Sequence, residues 1–101
     1  MLLHTVNKSP FDRSTLEACL GHAVKGSSIL LIEDGVVAAM KGTSWQPRLA
    51  AAMKDVAVYA LAPDLKARGL DPANVVEGVK VVDYAGFVDL TAEHHAVQAW
   101  L

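Results

Sequence analysis

The chain is poor in the residues from which autonomous chemistry is usually assembled. Among 101 residues there is one cysteine, Cys19, so no disulfide can form within the chain and no cysteine-cluster metal site can be built. Lys and Arg number nine against eleven Asp and Glu, and no basic run forms the footprint that nucleic acid demands. No apolar stretch approaches the roughly 18 residues of a membrane span. The opening Met1–Val6 is apolar but short and without a basic flank, unlike a secretory signal. Repeats, low-complexity tracts and linkers are missing, and no glycine-rich loop of the phosphate-binding kind is present. These absences point to a soluble, cytosolic protein whose partners are proteins or small molecules.

What is abundant is apolar surface. Hydrophobic residues make up 52% of the chain; with Gly counted and Tyr left out the figure is about 57%, against roughly 45–50% for average chains. A single domain spanning residues 1–101 has little interior for that surplus. Part of it is therefore expected at subunit interfaces.

Short apolar runs alternate with helix-length segments. Leu2–Val6, Ser28–Ile32, Val56–Leu61 and Val79–Val82 read as strands, the second a nearly unbroken aliphatic run of the kind covered on both faces. The first helix starts at Ser9 or at Ser14, each followed by an acidic residue in capping position. It carries Leu16, Cys19, Leu20, Ala23 and Val24 on one stripe and ends at Gly26. Val36–Met40 is helix or strand. Pro47 begins a helix reaching Lys54, Pro63-Asp64 begins one ending near Gly69, and Tyr84 to about Ala96 is the last, capped by Asp83. This order predicts an α/β three-layer sandwich, flavodoxin-like, with a small, mostly parallel sheet and helices on both faces. Ligands of such sheets bind beyond the carboxyl ends of the strands, where strand order switches. Here that means Asn7 to Pro10, Glu33 to Gly35, Ala62 to Asp64 and Asp83 to Gly86.

Candidate residues each have a plain alternative. Cys19 is either a packing residue or a nucleophile; reactivity needs a thiolate, and His22 three residues on is the nearest support. His4, among aliphatics, reads as a hydrogen-bonded core residue or a proton donor at the sheet edge. Lys8 and Ser9, with the amides before the first helix, offer an anion site, although capping also explains Ser9. Glu93-His94-His95 has the wrong spacing for chelation and reads as a solvated helix end. Lys66 and Arg68 complement a helix dipole or face an acidic partner. Tyr84, Phe87, Val88, Leu90 and Trp100 form an aromatic-aliphatic group, part of it suited to a neighbouring subunit. No cofactor-binding or metal site is expected.

Five segments carry a resemblance. His4 to Pro10, Glu33 to Val36, Asp64 to Gly69, Val82 to Thr91 and Val97 to Leu101, in that order, resemble the DsrH/TusB family across the chain. The resemblance implies a subunit of a heterohexamer of two copies each of three homologous chains, DsrE, DsrF and DsrH or TusD, TusC and TusB. Such complexes pass persulfide sulfur between protein cysteines. It further implies an acceptor of DsrC or TusE type, with the principal cysteine on the DsrE/TusD-like partner. In the Dsr branch the sulfur serves sulfur oxidation, and in the Tus branch thiolation of transfer RNA. DsrH-type members carry a first-helix cysteine that matches Cys19, making it a candidate secondary persulfide site and favouring the Dsr branch. A subunit with a purely structural role is the alternative.

Overall fold

The computed structural model describes residues 1–101. Five strands, β1 (Leu2–Val6), β2 (Ser28–Leu31), β3 (Ala57–Leu61), β4 (Lys80–Val82) and β5 (Ala96–Trp100), form one sheet in the order β4-β3-β2-β1-β5. Every pairing is parallel. Helices α1 (Thr15–His22), α2 (Gln46–Ala52), α3 (Ala62–Ala67) and α4 (Tyr84–Glu93) alternate with the strands, and 3₁₀ turns occupy Glu33–Ala39 and Pro72–Asn74. No helix is long and apolar enough to cross a membrane.

The strand order explains the layers. The chain steps from β1 to β4 in one direction, so its connections lie on one face of the sheet. Val6, Ile29, Leu31, Val58 and Ala60 from the strands meet Leu16 and Cys19 of α1, Leu49 of α2 and Leu65 of α3 there, in one buried cluster. From β4 the chain returns past the whole sheet to β5, and α4 crosses the opposite face. Leu90 is its anchor, buried against Leu3 and Leu30, with Phe87, Tyr59, Ile32 and Val82 packed around them. The three-layer α/β expectation therefore holds. Successive strand residues face opposite layers, and both layers are apolar, which is why the strands read as unbroken aliphatic runs.

Local chemistry sets the element ends. Of the two possible starts for α1 the later one is used. Ser9 instead makes a turn, its carbonyl accepting from Asp12 and Arg13 and its hydroxyl from the Phe11 amide. The helix ends at His22, earlier than expected, because Ala23 turns to extended backbone. Gly26 (φ +90°) belongs to the turn before β2, and Val24 is exposed. Val36 to Ala39, ambiguous by period, lies in the 3₁₀ turn. Asp83 does cap α4, accepting from the Gly86 amide at 2.8 Å.

One strand was not expected. The last helix stops at Glu93, and the following residues return to form β5 beside β1. No glycine or proline marks the break. Instead the His94 ring donates through Nδ1 to the Leu90 carbonyl, closing the helix end, while Nε2 accepts from Ser28 Oγ at 3.0 Å.

Candidate functional site

At the carboxyl edge of the sheet, three of the four loop segments named from sequence come into play. Glu33 adopts left-handed backbone (φ +49°), and its amide donates to Asp64 Oδ2 at 2.7 Å. Asp34 accepts from Arg68 Nε at 2.8 Å, and Arg68 also lies 3.8 Å from Asp64. These contacts tie the segment after β2 to α3. Gly35 packs so closely on the Val6 carbonyl that any Cβ would collide with backbone, which explains glycine at that position. Arg68 is thus a clamp between loops, and these partly exposed ion pairs each add no more than about 1 kcal/mol.

Beside this clamp lies an open cleft of about 740 Å³, lined by Ala62, Pro63, Lys66, Leu70, Pro72 and Asp83 among others. Its walls are chiefly apolar. Asp83 is committed to capping α4, and the lining contains no serine, cysteine or histidine. Ala62, Pro63 and Asp83 were named from the strand-end rule; the Leu70–Pro72 wall was not, since nothing in its pattern distinguishes it from an ordinary loop. The cleft stands beyond β3 and β4, away from the β1/β5 border where strand order switches. It can hold an apolar group, but it contains no thiol.

Cys19 lies elsewhere. It sits on α1 facing the sheet, with no solvent exposure. Burial alone pushes its thiol up to about 12, so the thiolate needed for sulfur transfer is scarce at neutral pH. His22 does not assist it. Its Nδ1 donates to the Ala18 carbonyl at 2.9 Å and its ring packs 5.5 Å from the Trp100 indole. Glu17 turns outward to Arg48 at 3.4 Å.

His4 is a buried core residue. Its Nδ1 accepts from the Trp100 indole N–H at 3.0 Å, which leaves its proton on Nε2. Burial, and after it the nearby His22, lowers its pKa and holds it neutral. Trp100 is therefore separated from Tyr84, Phe87, Val88 and Leu90, with which sequence grouped it. It lies on the α1 side of the sheet while they belong to α4. Leu90 is buried, and Tyr84 and Val88 are exposed. Lys8 and Ser9 precede α1 by a full turn of chain, and the Asp12 and Arg13 amides that follow are already bonded to the Ser9 carbonyl. His95 accepts through Nδ1 from the Met1 amino group at 2.7 Å while His94 is turned to Ser28, so these neighbours point to different partners.

Comparisons with known proteins agree with this architecture. Residues 8–97 match the family model described as DsrH-like protein. Protein TusB of Photorhabdus laumondii is 40% identical over 101 residues, covering 98% of this chain and all of its own. Protein TusB of Escherichia coli K12 is 37% identical over 99 residues, with the same coverages. Among solved structures, the ychN protein of Escherichia coli superposes with a TM-score of 0.82 at 16% identity, covering 98% of this chain and 97% of that one. A Methanobacterium thermoautotrophicum protein of unknown function superposes with a TM-score of 0.77 at 17% identity, with coverages of 97% and 96%. These two show the fold. The sequence relatives show more: the chain belongs to the DsrH-like family, the DsrH/TusB group of sulfur-relay proteins that its loop segments resemble.

Proposed function

We propose that the chain is a TusB-type subunit of a cytoplasmic sulfur relay that supplies thiolation of transfer RNA, and that it contributes surfaces to the complex rather than the transferring thiol. The full-length relatives named TusB carry this reading, and they favour it over the sulfur-oxidation branch to which Cys19 first pointed. The chemistry of the chain is in keeping with it. Its one thiol is enclosed in the core and protonated, and its strand-end cleft offers no second thiol to carry sulfur. Persulfide sulfur in this reading travels on a TusD-like partner to a TusE-type acceptor. This chain and a TusC-like subunit complete a heterohexamer of two copies each.

Co-expression with the two homologous chains tests the proposal. Recovery of one complex of all three, in which loss of this chain abolishes transfer-RNA thiolation while Cys19→Ala does not, is the expected result. A Cys19→Ala complex that assembles but no longer moves sulfur would return the case to the DsrH-type reading. There Cys19 is the secondary persulfide site, and α1 must lift from the sheet to expose it.

A further inference from the structure

We infer that the cleft beyond β3 and β4 binds a small zwitterion with an aliphatic body, the class to which a free apolar dipeptide belongs. This goes beyond the proposed relay role and does not depend on it.

The topology puts a crevice there. The connections after β1, β2 and β3 run on the face that carries α1, α2 and α3, whereas the one after β4 leads to α4 on the other face. β3 and β4 are hydrogen-bonded neighbours, so it is between these two that the chains leaving adjacent strands part. Open parallel sheets bind ligands in such a parting. The cleft of about 740 Å³ lies in it, and small-molecule sites usually measure roughly 300–1,000 Å³.

Its walls are set before any ligand arrives. α3 closes with the Leu70 amide donating to the Leu65 carbonyl at 2.9 Å and the Gly69 amide to that of Lys66 at 3.1 Å. Gly69 takes the left-handed backbone (φ +66°) that this helix ending requires. The two bonds hold Leu70 half-buried against the core that Leu65 joins. Pro63 and Pro72, each with φ fixed by its ring, extend the apolar surface. The Arg68 clamp ties α3 to the segment after β2.

The charged tips around that surface are of both signs and lack ionic partners. Lys66 takes part in none of the ion pairs, which join Arg48 to Glu17 and Arg68 to Asp34 and Asp64. Asp83 and Asp71 each use one carboxylate oxygen as a cap, accepting from the Gly86 and Ala73 amides at 2.8 and 2.9 Å. The second oxygen of each remains able to accept. An anion alone would meet two carboxylates, and a cation alone would leave Lys66 unpaired. A ligand with an ammonium at one end and a carboxylate at the other satisfies both signs, its aliphatic part resting on Pro63, Leu70 and Pro72. No aromatic ring lines the cleft, so it offers nothing on which a nucleobase could stack.

Titration of the full chain with leucyl-leucine near pH 7, followed by amide chemical shifts, tests the inference. Shifts should centre on Lys66, Leu70 and Gly86. With about 17 non-hydrogen atoms the dipeptide should bind with a dissociation constant of about 0.1–1 mM. Blocking both its ends, as N-acetyl-leucyl-leucine amide, should weaken binding at least about fivefold, and Lys66→Met about two- to fivefold. Asp71→Ser with Asp83→Ser keeps a capping oxygen at both positions while removing the charge, and should weaken binding to a similar degree. Should that double variant not fold, the exposed Lys66→Met and the blocked peptide still decide. No shifts up to about 10 mM dipeptide, shifts centred elsewhere, blocked peptide bound as well as free, or binding indifferent to the folded variants overturns the inference.

Discussion

Cys19 offers the sharpest quantitative test, because its surroundings translate into a rate. An ordinary thiol at the reference value of 9.0 is about one-tenth ionised at pH 8, whereas one raised to about 12 is ionised roughly one part in ten thousand. That is about a thousandfold less thiolate. A more basic thiolate is intrinsically more nucleophilic, and a Brønsted coefficient of about 0.4–0.5 over this interval returns a factor of roughly 15–30. Ionisation alone thus slows attack on a disulfide some 30–60-fold. Enclosure adds to this, since the side chain has no accessible surface and must wait for α1 to open. The assay is reaction with a chromogenic aryl disulfide at pH 8, first on folded protein and then in denaturing urea. The folded rate should be at least about thirtyfold below the unfolded one. Native protein that reacts as fast as the unfolded chain would refute the reasoning.

Other consequences can be measured on the same protein. Because burial raises the folded thiol's pKa above its unfolded value, the stability tied to protonated Cys19 is complete below pH 9. It declines as pH rises toward 12, by about 1.4 kcal/mol for each pH unit beyond the unfolded pKa, and Cys19→Ala should flatten that limb of a denaturation series. His4 has the opposite dependence: its folded pKa is depressed, so its contribution is full above pH 6.5 and is lost as pH falls through that value, seen as a falling urea midpoint. Trp100→Phe removes the donor to His4 Nδ1 and should cost about 1–3 kcal/mol at pH 7.5 by urea denaturation. Leu90→Ala removes the single buried anchor of α4 and should cost about 2–5 kcal/mol, read the same way.

The layered fold was legible because its signals are local and redundant. Ser28–Leu31, within an aliphatic run that reads as a strand covered on both sides, is one, and Pro47, Pro63 and Asp83 mark helix starts that the structure uses. β5 was not legible, since the break before it is made by a histidine ring bonding back to Leu90 rather than by glycine or proline. The segment was nevertheless among those that matched the family, which ties its residues to the fold without revealing their conformation.

The site was legible only in part. Sequence placed Glu33, Asp34 and Asp64 at the carboxyl edge but could not show that Arg68 joins two of them, because that pairing spans 34 residues. Likewise, periodicity put Cys19 on the inner stripe of α1. Only the packed structure shows that Cys19 is sealed, and that His22 belongs to Trp100 and Ala18 instead of the thiol.

In the proposed division of labour, this chain shapes the assembly and sulfur moves on another subunit's cysteine. Its most direct test is to charge the assembled three-protein complex with a persulfide donor and weigh the peptides that carry each cysteine. Added sulfur on the TusD-like chain, with the Cys19 peptide unchanged, is the predicted result. Sulfur appearing on Cys19 at a rate matching turnover would contradict it.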